Sequence, residues 1–167
     1  MNHWAKRDAV MDPRRVRICD SADVADLAGI MFDAVRHGPS LYTEEQRAAW
    51  VPERRSGPAW EQRLARQFVY GVEDSGRLVG FMSLEPQGYI DFAYVHPAAQ
   101  GTGAFRLLYQ AIEARATELK LDRLWVHASL MARPAFASVG FAITEEQIVE
   151  VGGESLRRFE MEKRLEA

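Results

Sequence analysis

The sequence predicts an α+β domain, a mixed and mostly antiparallel sheet with helices on both faces. Three observations carry that expectation. Residues 89–109 pass from strand to glycine turn to helix, and a further strand follows, which gives one crossover between parallel strands. The segments before that stretch are short strands separated by tight polar turns, which calls for antiparallel pairing. The chain ends on two long strand-like runs either side of Gly152-Gly153, the signal of a hairpin.

The elements follow in order. Residues 16–19 read as a first strand. Asp20 or Ser21 caps a helix whose buried face is Val24, Leu27, Ala28, Met31, Phe32 and Val35, and Gly38-Pro39 ends it. Thr43 opens another helix with Gln46 three residues on, a capping box. Pro52 and Gly57-Pro58 interrupt the region, and a short helix resumes over 60–66. Residues 68–73 and 78–84 are strands joined at Asp74-Ser75-Gly76, and Pro86-Gln87-Gly88 turns into the central strand 90–95. Pro97 ends that strand because it has no N–H for a ladder. From Ala104 on, Phe105, Leu108, Tyr109, Ile112, Ala116 and Leu119 recur at spacings of three and four, which makes one apolar face. Residues 123–128 are a strand with Leu124 and Val126 on one face and Trp125 and His127 on the other. Residues 132–139 are a short helix stopped by Gly140, and 143–151 with 156–165 make the final hairpin. The order is β-α-α-β-β-β-α-β-α-β-β.

The 167 residues suit a single domain over 16–167, preceded by a polar, basic and flexible tail over 1–15. Apolar content of 47% and charged content of 27% are those of a soluble globular chain. A net charge of −3 gives no support to nucleic-acid binding. One cysteine, Cys19, excludes an internal disulfide and fits a cytoplasmic setting. No apolar run is long enough to span a membrane, and residues 1–15 lack the apolar centre of a signal peptide.

The turn Gln100-Gly101-Thr102-Gly103 is where chemistry is expected. The first amides of a helix have no partner within it and carry the positive end of the helix dipole. Glycines at 101 and 103 let a ligand come close to the backbone. A phosphate or pyrophosphate fits such a seat, although ordinary loop chemistry gives the same pattern. No Lys-Ser/Thr follows Gly103, so the turn is not a P-loop, and Arg106 stands where a dinucleotide fingerprint needs its third glycine.

Residues 95–103, Val-His-Pro-Ala-Ala-Gln-Gly-Thr-Gly, resemble the pyrophosphate loop of the GCN5-related N-acetyltransferases, the GNAT family, with its Gln/Arg-x-x-Gly-x-Gly/Ala signature. Gln100 and Gly103 match, and Phe105 replaces the final small residue. Residues 128–141 resemble the family's later strand–helix–Gly-Phe block, and the element order agrees with the family's. The resemblance implies a V-shaped splay between the two central parallel strands, with acetyl-CoA (coenzyme A) as cosubstrate. Ala93, Tyr94 and Val95 would meet the pantetheine arm in the splay. The pyrophosphate would sit on the amides of Gln100, Gly101, Thr102, Gly103, Ala104 and Phe105, with the Phe105 ring turned away from it. Ser129, where the second strand ends, would touch the arm or cap the next helix.

The implied reaction is attack by a primary amine of a small molecule or peptide on the thioester carbonyl. Asp91 is the first candidate base, since strand alternation puts it on the same face as Ala93 and Val95. Glu85 is the second, and a solvated strand-end carboxylate is the alternative for each. The family's usual proton-donating Tyr falls at Phe136, which can line the cofactor site but cannot donate. Tyr94 and Tyr109 are conceivable donors that could equally be packed, His127 fits a sheet histidine, and His96 reads as loop structure. Arg36, Tyr42 and Trp50 would shape the acceptor pocket. No metal ligand set, membrane or nucleic acid enters this reading. The final hairpin could pair two subunits into a homodimer, and a non-catalytic acyl-CoA sensor is the alternative to an enzyme.

Overall fold

The computed structural model describes residues 12–166. Among the described residues seven strands form one sheet in the order β1-β2-β3-β4-β5-β7-β6. They are β1 (Arg14–Ile18), β2 (Phe68–Asp74), β3 (Arg77–Leu84), β4 (Tyr89–Val95), β5 (Arg123–Ser129), β6 (Ala142–Val151) and β7 (Glu154–Arg164). The helices are α1 (Val24–Arg36), α2 (Glu44–Trp50), α3 (Pro58–Ala65), α4 (Ala104–Glu118) and α5 (Arg133–Ser138). Among these strands only β4 and β5 pair in parallel, and the α4 crossover joins them. The mixed, mostly antiparallel sheet with helices on both faces is the fold the sequence predicts. The segment after Gly57-Pro58 is a third helix before β2, with Pro58 in its first turn, where a missing N–H costs nothing.

Local signals act where they stand in the chain. Thr43 and Gln46 exchange the two bonds of a capping box, at 2.8 and 3.1 Å. Asp20 caps a short turn over Ser21–Asp23 that leads into α1. The expected tail lies outside the described residues as far as position 11, while Arg14 and Arg15 belong to β1 and face Asp74 and Glu73 of β2.

Two cores sandwich the sheet. On one face Leu108, Ile112 and Ala116 of α4 pack with Met82, Ile90, Leu124, Val126 and Phe136. On the other Leu27 and Met31 of α1 and Trp60 of α3 pack with Val69, Phe81 and Phe92. Strand β4 serves both, and it breaks its alternation once. Met82 faces Ala93 but Leu84 faces Ile90, so Asp91 and Phe92 together oppose Ser83, which is a β-bulge. Ile90, Ala93 and Val95 join the α4 core, whereas Phe92 and Tyr94 join the α1 core. Asp91 also turns to the α1 and α3 side, where it meets Arg63. The sequence expectation that Asp91 shares a face with Ala93 and Val95 therefore fails. Strict alternation takes no account of a two-for-one bulge.

The bulge is held from the side. The hydroxyl of Ser83, fully buried, accepts a 3.0 Å hydrogen bond from the Phe92 amide. Ser83→Ala leaves that buried amide without an acceptor and is expected to cost about 1–3 kcal/mol. Urea denaturation checks this as a lower midpoint with an unchanged slope.

Candidate functional site

Strands β4 and β5 pair only at Tyr89↔Trp125 and Ile90↔Val126. Beyond those residues they part. On its other edge β4 stays bonded, and the His96 amide reaches Val79 O at 2.7 Å. The two-residue repeat therefore turns the N–H and C=O of Ala93 and Val95 into the gap. There the Val95 carbonyl accepts a 3.1 Å bond from Gln100 Nε2.

The gap opens into a cleft of about 430 Å³. Ala93, Tyr94, Val95, Gln100, Gly101, Gly103, Ala104, Phe105 and Ser129 all line it. At its end stands α4. Gly101 at φ 75° and Gly103 at φ 89° hold left-handed conformations that suit glycine, and a Cβ at Gly101 would meet nothing within 4 Å. The first turn of α4 thus begins at an open loop, with the amides of Ala104, Phe105 and Arg106 free of helical partners. Thr102 is outside the lining: its hydroxyl bonds Ala99 O, and its carbonyl accepts from Arg14 Nη1. The Phe105 ring packs edge-on against Phe136, centroids 5.0 Å apart, at the cleft wall. Phe136 is itself fully buried behind it and does not reach the cleft.

A second pocket of about 190 Å³ adjoins the first, and Tyr42, Trp50, Tyr94 and Ser129 line both. Ser129 lines both cavities, and its Oγ accepts from the Ala132 amide at 3.1 Å, in the turn that leads into α5. Tyr42 is a structural tie as well as a wall, because its hydroxyl donates to Arg157 O and accepts from the Leu130 amide. Arg36 faces neither cavity and instead bonds the carbonyls of Val51 and Pro52.

Asp91 lines the second pocket with both oxygens engaged, by Arg63 at 2.6 and 2.8 Å and by Gln67 at 2.7 Å. Glu85 lines neither cavity and accepts from Gln87; burial raises its carboxyl above the ordinary range. Tyr109 is buried in the α4 core, its ring against Phe141. His96 bonds Asp33 and the Ala98 amide, as a loop histidine does.

Sequence reasoning undervalued two parts of the second pocket, the His127–Tyr89 pair and the arginines. His127 and Tyr89 both line it, joined at 2.9 Å between the hydroxyl and Nδ1. Glu160 lies 3.8 Å from the His127 Nε2. Arg55, Arg63 and Arg158 complete the lining. Burial first, and Arg158 second, hold the His127 imidazole below its ordinary range. Burial also holds the hydroxyls of Tyr89 and Tyr94 above the phenol range, so both stay protonated near neutrality. The alternation in β5 puts His127 and Ser129 on one face, a signal the sequence does contain. Nothing in the sequence aligns Arg158 of β7 with Ser129 until the register is known.

Residues 40–165 match the profile of the acetyltransferase (GNAT) domain. The uncharacterized N-acetyltransferase YafP of Escherichia coli K12 is 29% identical over 152 residues, which are 90% of this chain and 96% of that protein. A GCN5-related N-acetyltransferase from Rhodopseudomonas palustris is 30% identical, with a TM-score of 0.82 over 93% of this chain and 98% of that one. The PaiA N-acetyltransferase of Thermoplasma acidophilum, solved in complex with coenzyme A, is 16% identical with a TM-score of 0.74, over 91% and 99% of the two chains.

The electrostatics of the second pocket can be read directly. His127 is expected to titrate below the ordinary imidazole range in an NMR titration. Because Arg158 opposes the imidazolium, Arg158→Gln should move that titration upward.

Proposed function

Because the chain belongs to the GNAT acetyltransferase family, we propose that it moves an acetyl group from acetyl-CoA to a primary amine of a small molecule or peptide, by direct attack in a ternary complex. One observation carries the reading. A cleft with unpaired strand edges and free helix amides meets a second, polar pocket at four shared residues, Tyr42, Trp50, Tyr94 and Ser129. A cosubstrate in the first and an amine in the second would meet at that junction.

In this reading the diphosphate takes the amides from Gly101 to Phe105, with Arg106 on the cleft wall. The pantetheine amides bond Ala93 and Val95 as an added strand would, and Gln100 releases the Val95 carbonyl to them. The thioester carbonyl then lies at the junction. The amine nitrogen attacks it, the N–C bond forms, and the C–S bond breaks.

The amine must be neutral to attack. Asp91, already accepting three bonds and matched by Arg63, is ill-suited to take its proton. His127 is held neutral and can take that proton through the Tyr89 hydroxyl bonded to its Nδ1. Tyr94 lines both cavities and is positioned to donate a hydrogen bond to the departing thiolate. Its own acidity is too weak to hand a proton outright to a thiolate whose acid has a pKa of about 8.5, so the thiolate leaves solvated and hydrogen-bonded.

Two outcomes test this. Gly103→Glu places a carboxylate beside the diphosphate seat and is expected to weaken coenzyme A binding about tenfold or more. Gly103→Ala measures the backbone strain alone, and equal calorimetric affinity in both variants would count against the seat. For the base, kcat should fall as acid protonates His127. His127→Gln should lose that low-pH limb together with about 10²–10⁴-fold of kcat.

A further inference from the structure

We propose that the acceptor amine carries its own carboxylate on an apolar body, and that Arg158 and Arg55 bind that carboxylate. The proposal rests on the acyltransferase reading of the same site and names the substrate class it serves.

The argument is one of charge. Three guanidinium groups line the second pocket, from Arg55, Arg63 and Arg158, against one carboxylate, Asp91. Arg63 is neutralised by Asp91 through two short bonds. The other two meet only neutral partners: Arg158 Nε donates to the Gln147 side-chain carbonyl at 2.9 Å, and Arg55 Nη2 to Trp50 O at 3.2 Å. Among the described residues neither has a carboxylate within ion-pair distance, whereas Arg157 beside Arg158 pairs with Glu146 at 2.7 Å. A half-buried excess of positive charge is costly unless a ligand supplies the anion. Guanidinium is also the group whose fork of donors matches a carboxylate.

The rest of the wall sorts the remainder of the ligand. Trp50, Phe92, Val151 and Leu156 offer apolar contact. Asp91 is already matched by Arg63, so the neutral His127–Tyr89 pair is the group suited to the amine end. A zwitterion thus finds a partner for each end. A polyamine or a lysine-rich peptide would bring further positive charge against Arg55 and Arg158.

A panel of α-, β- and γ-amino acids with apolar side chains, each beside its own amide, plus spermidine, is assayed with acetyl-CoA by thiol release. At least one acid should exceed its amide in kcat/KM by about tenfold or more, the size of a charge-assisted hydrogen bond. Arg158→Gln should erase that preference while coenzyme A affinity stays as it was. Amides or spermidine matching the best acid, or a preference that survives Arg158→Gln, would overturn the proposal. If no amine turns over and coenzyme A does not bind, the acyltransferase reading itself falls. Calorimetry with the same acid and amide pairs, in wild type and Arg158→Gln, then decides the anion site alone: tighter acids support it, and equal binding rejects it.

Discussion

Two neighbouring strands that stop bonding to one another create the whole site. β4 and β5 share register at two residue pairs and then separate, although each keeps its other neighbour, β3 and β7. A sheet interior with unmatched amides is unstable unless something fills the gap. Here the wedge is structural. Ala93 and Val95 lean on the α4 core while Phe92 and Tyr94 lean on the α1 core, so β4 is held from both faces while its inner edge stays open. The bulge at Asp91 and Phe92 puts Ile90 on the same face as Ala93 and Val95, and the buried Ser83 hydroxyl satisfies the amide that the bulge displaces.

The charge arrangement grows from the same distortion. Because the bulge turns Asp91 to the α3 side, its carboxylate meets Arg63 and Gln67 and lines the second pocket. On the facing strands the register sets Ser129 opposite Arg158 and His127 opposite Glu160. Anionic and cationic groups are thereby set along one wall, with a neutral imidazole among them. Tyr42 fixes the junction from outside, joined by its hydroxyl both to β7 and to the residue after β5.

Much of this could be read from the chain. The strand–glycine–helix stretch, the caps at Thr43 and Asp20, and the hairpin at Gly152-Gly153 are local signals, and local signals survive into the fold. The open loop at Gly101 and Gly103 was legible for the same reason. The second pocket was not. Its residues come from α1, α2, α3, the loops either side of α2, and β4 to β7, and what unites them is strand register and one bulge, neither of which has a signature within a few residues. Arg36 illustrates the limit: an arginine near the right helices looks available in sequence, yet two backbone carbonyls already occupy it, while Arg55 and Arg158 were passed over.

The Arg14 side chain reaches from the outermost strand to the Thr102 carbonyl, across most of the sequence separation between chain start and loop. Edge strands are the parts of a sheet that open at least cost in free energy. The glycine loop is thereby tied to one edge of the sheet. Fraying at that border of the sheet would be felt as slackness where α4 begins.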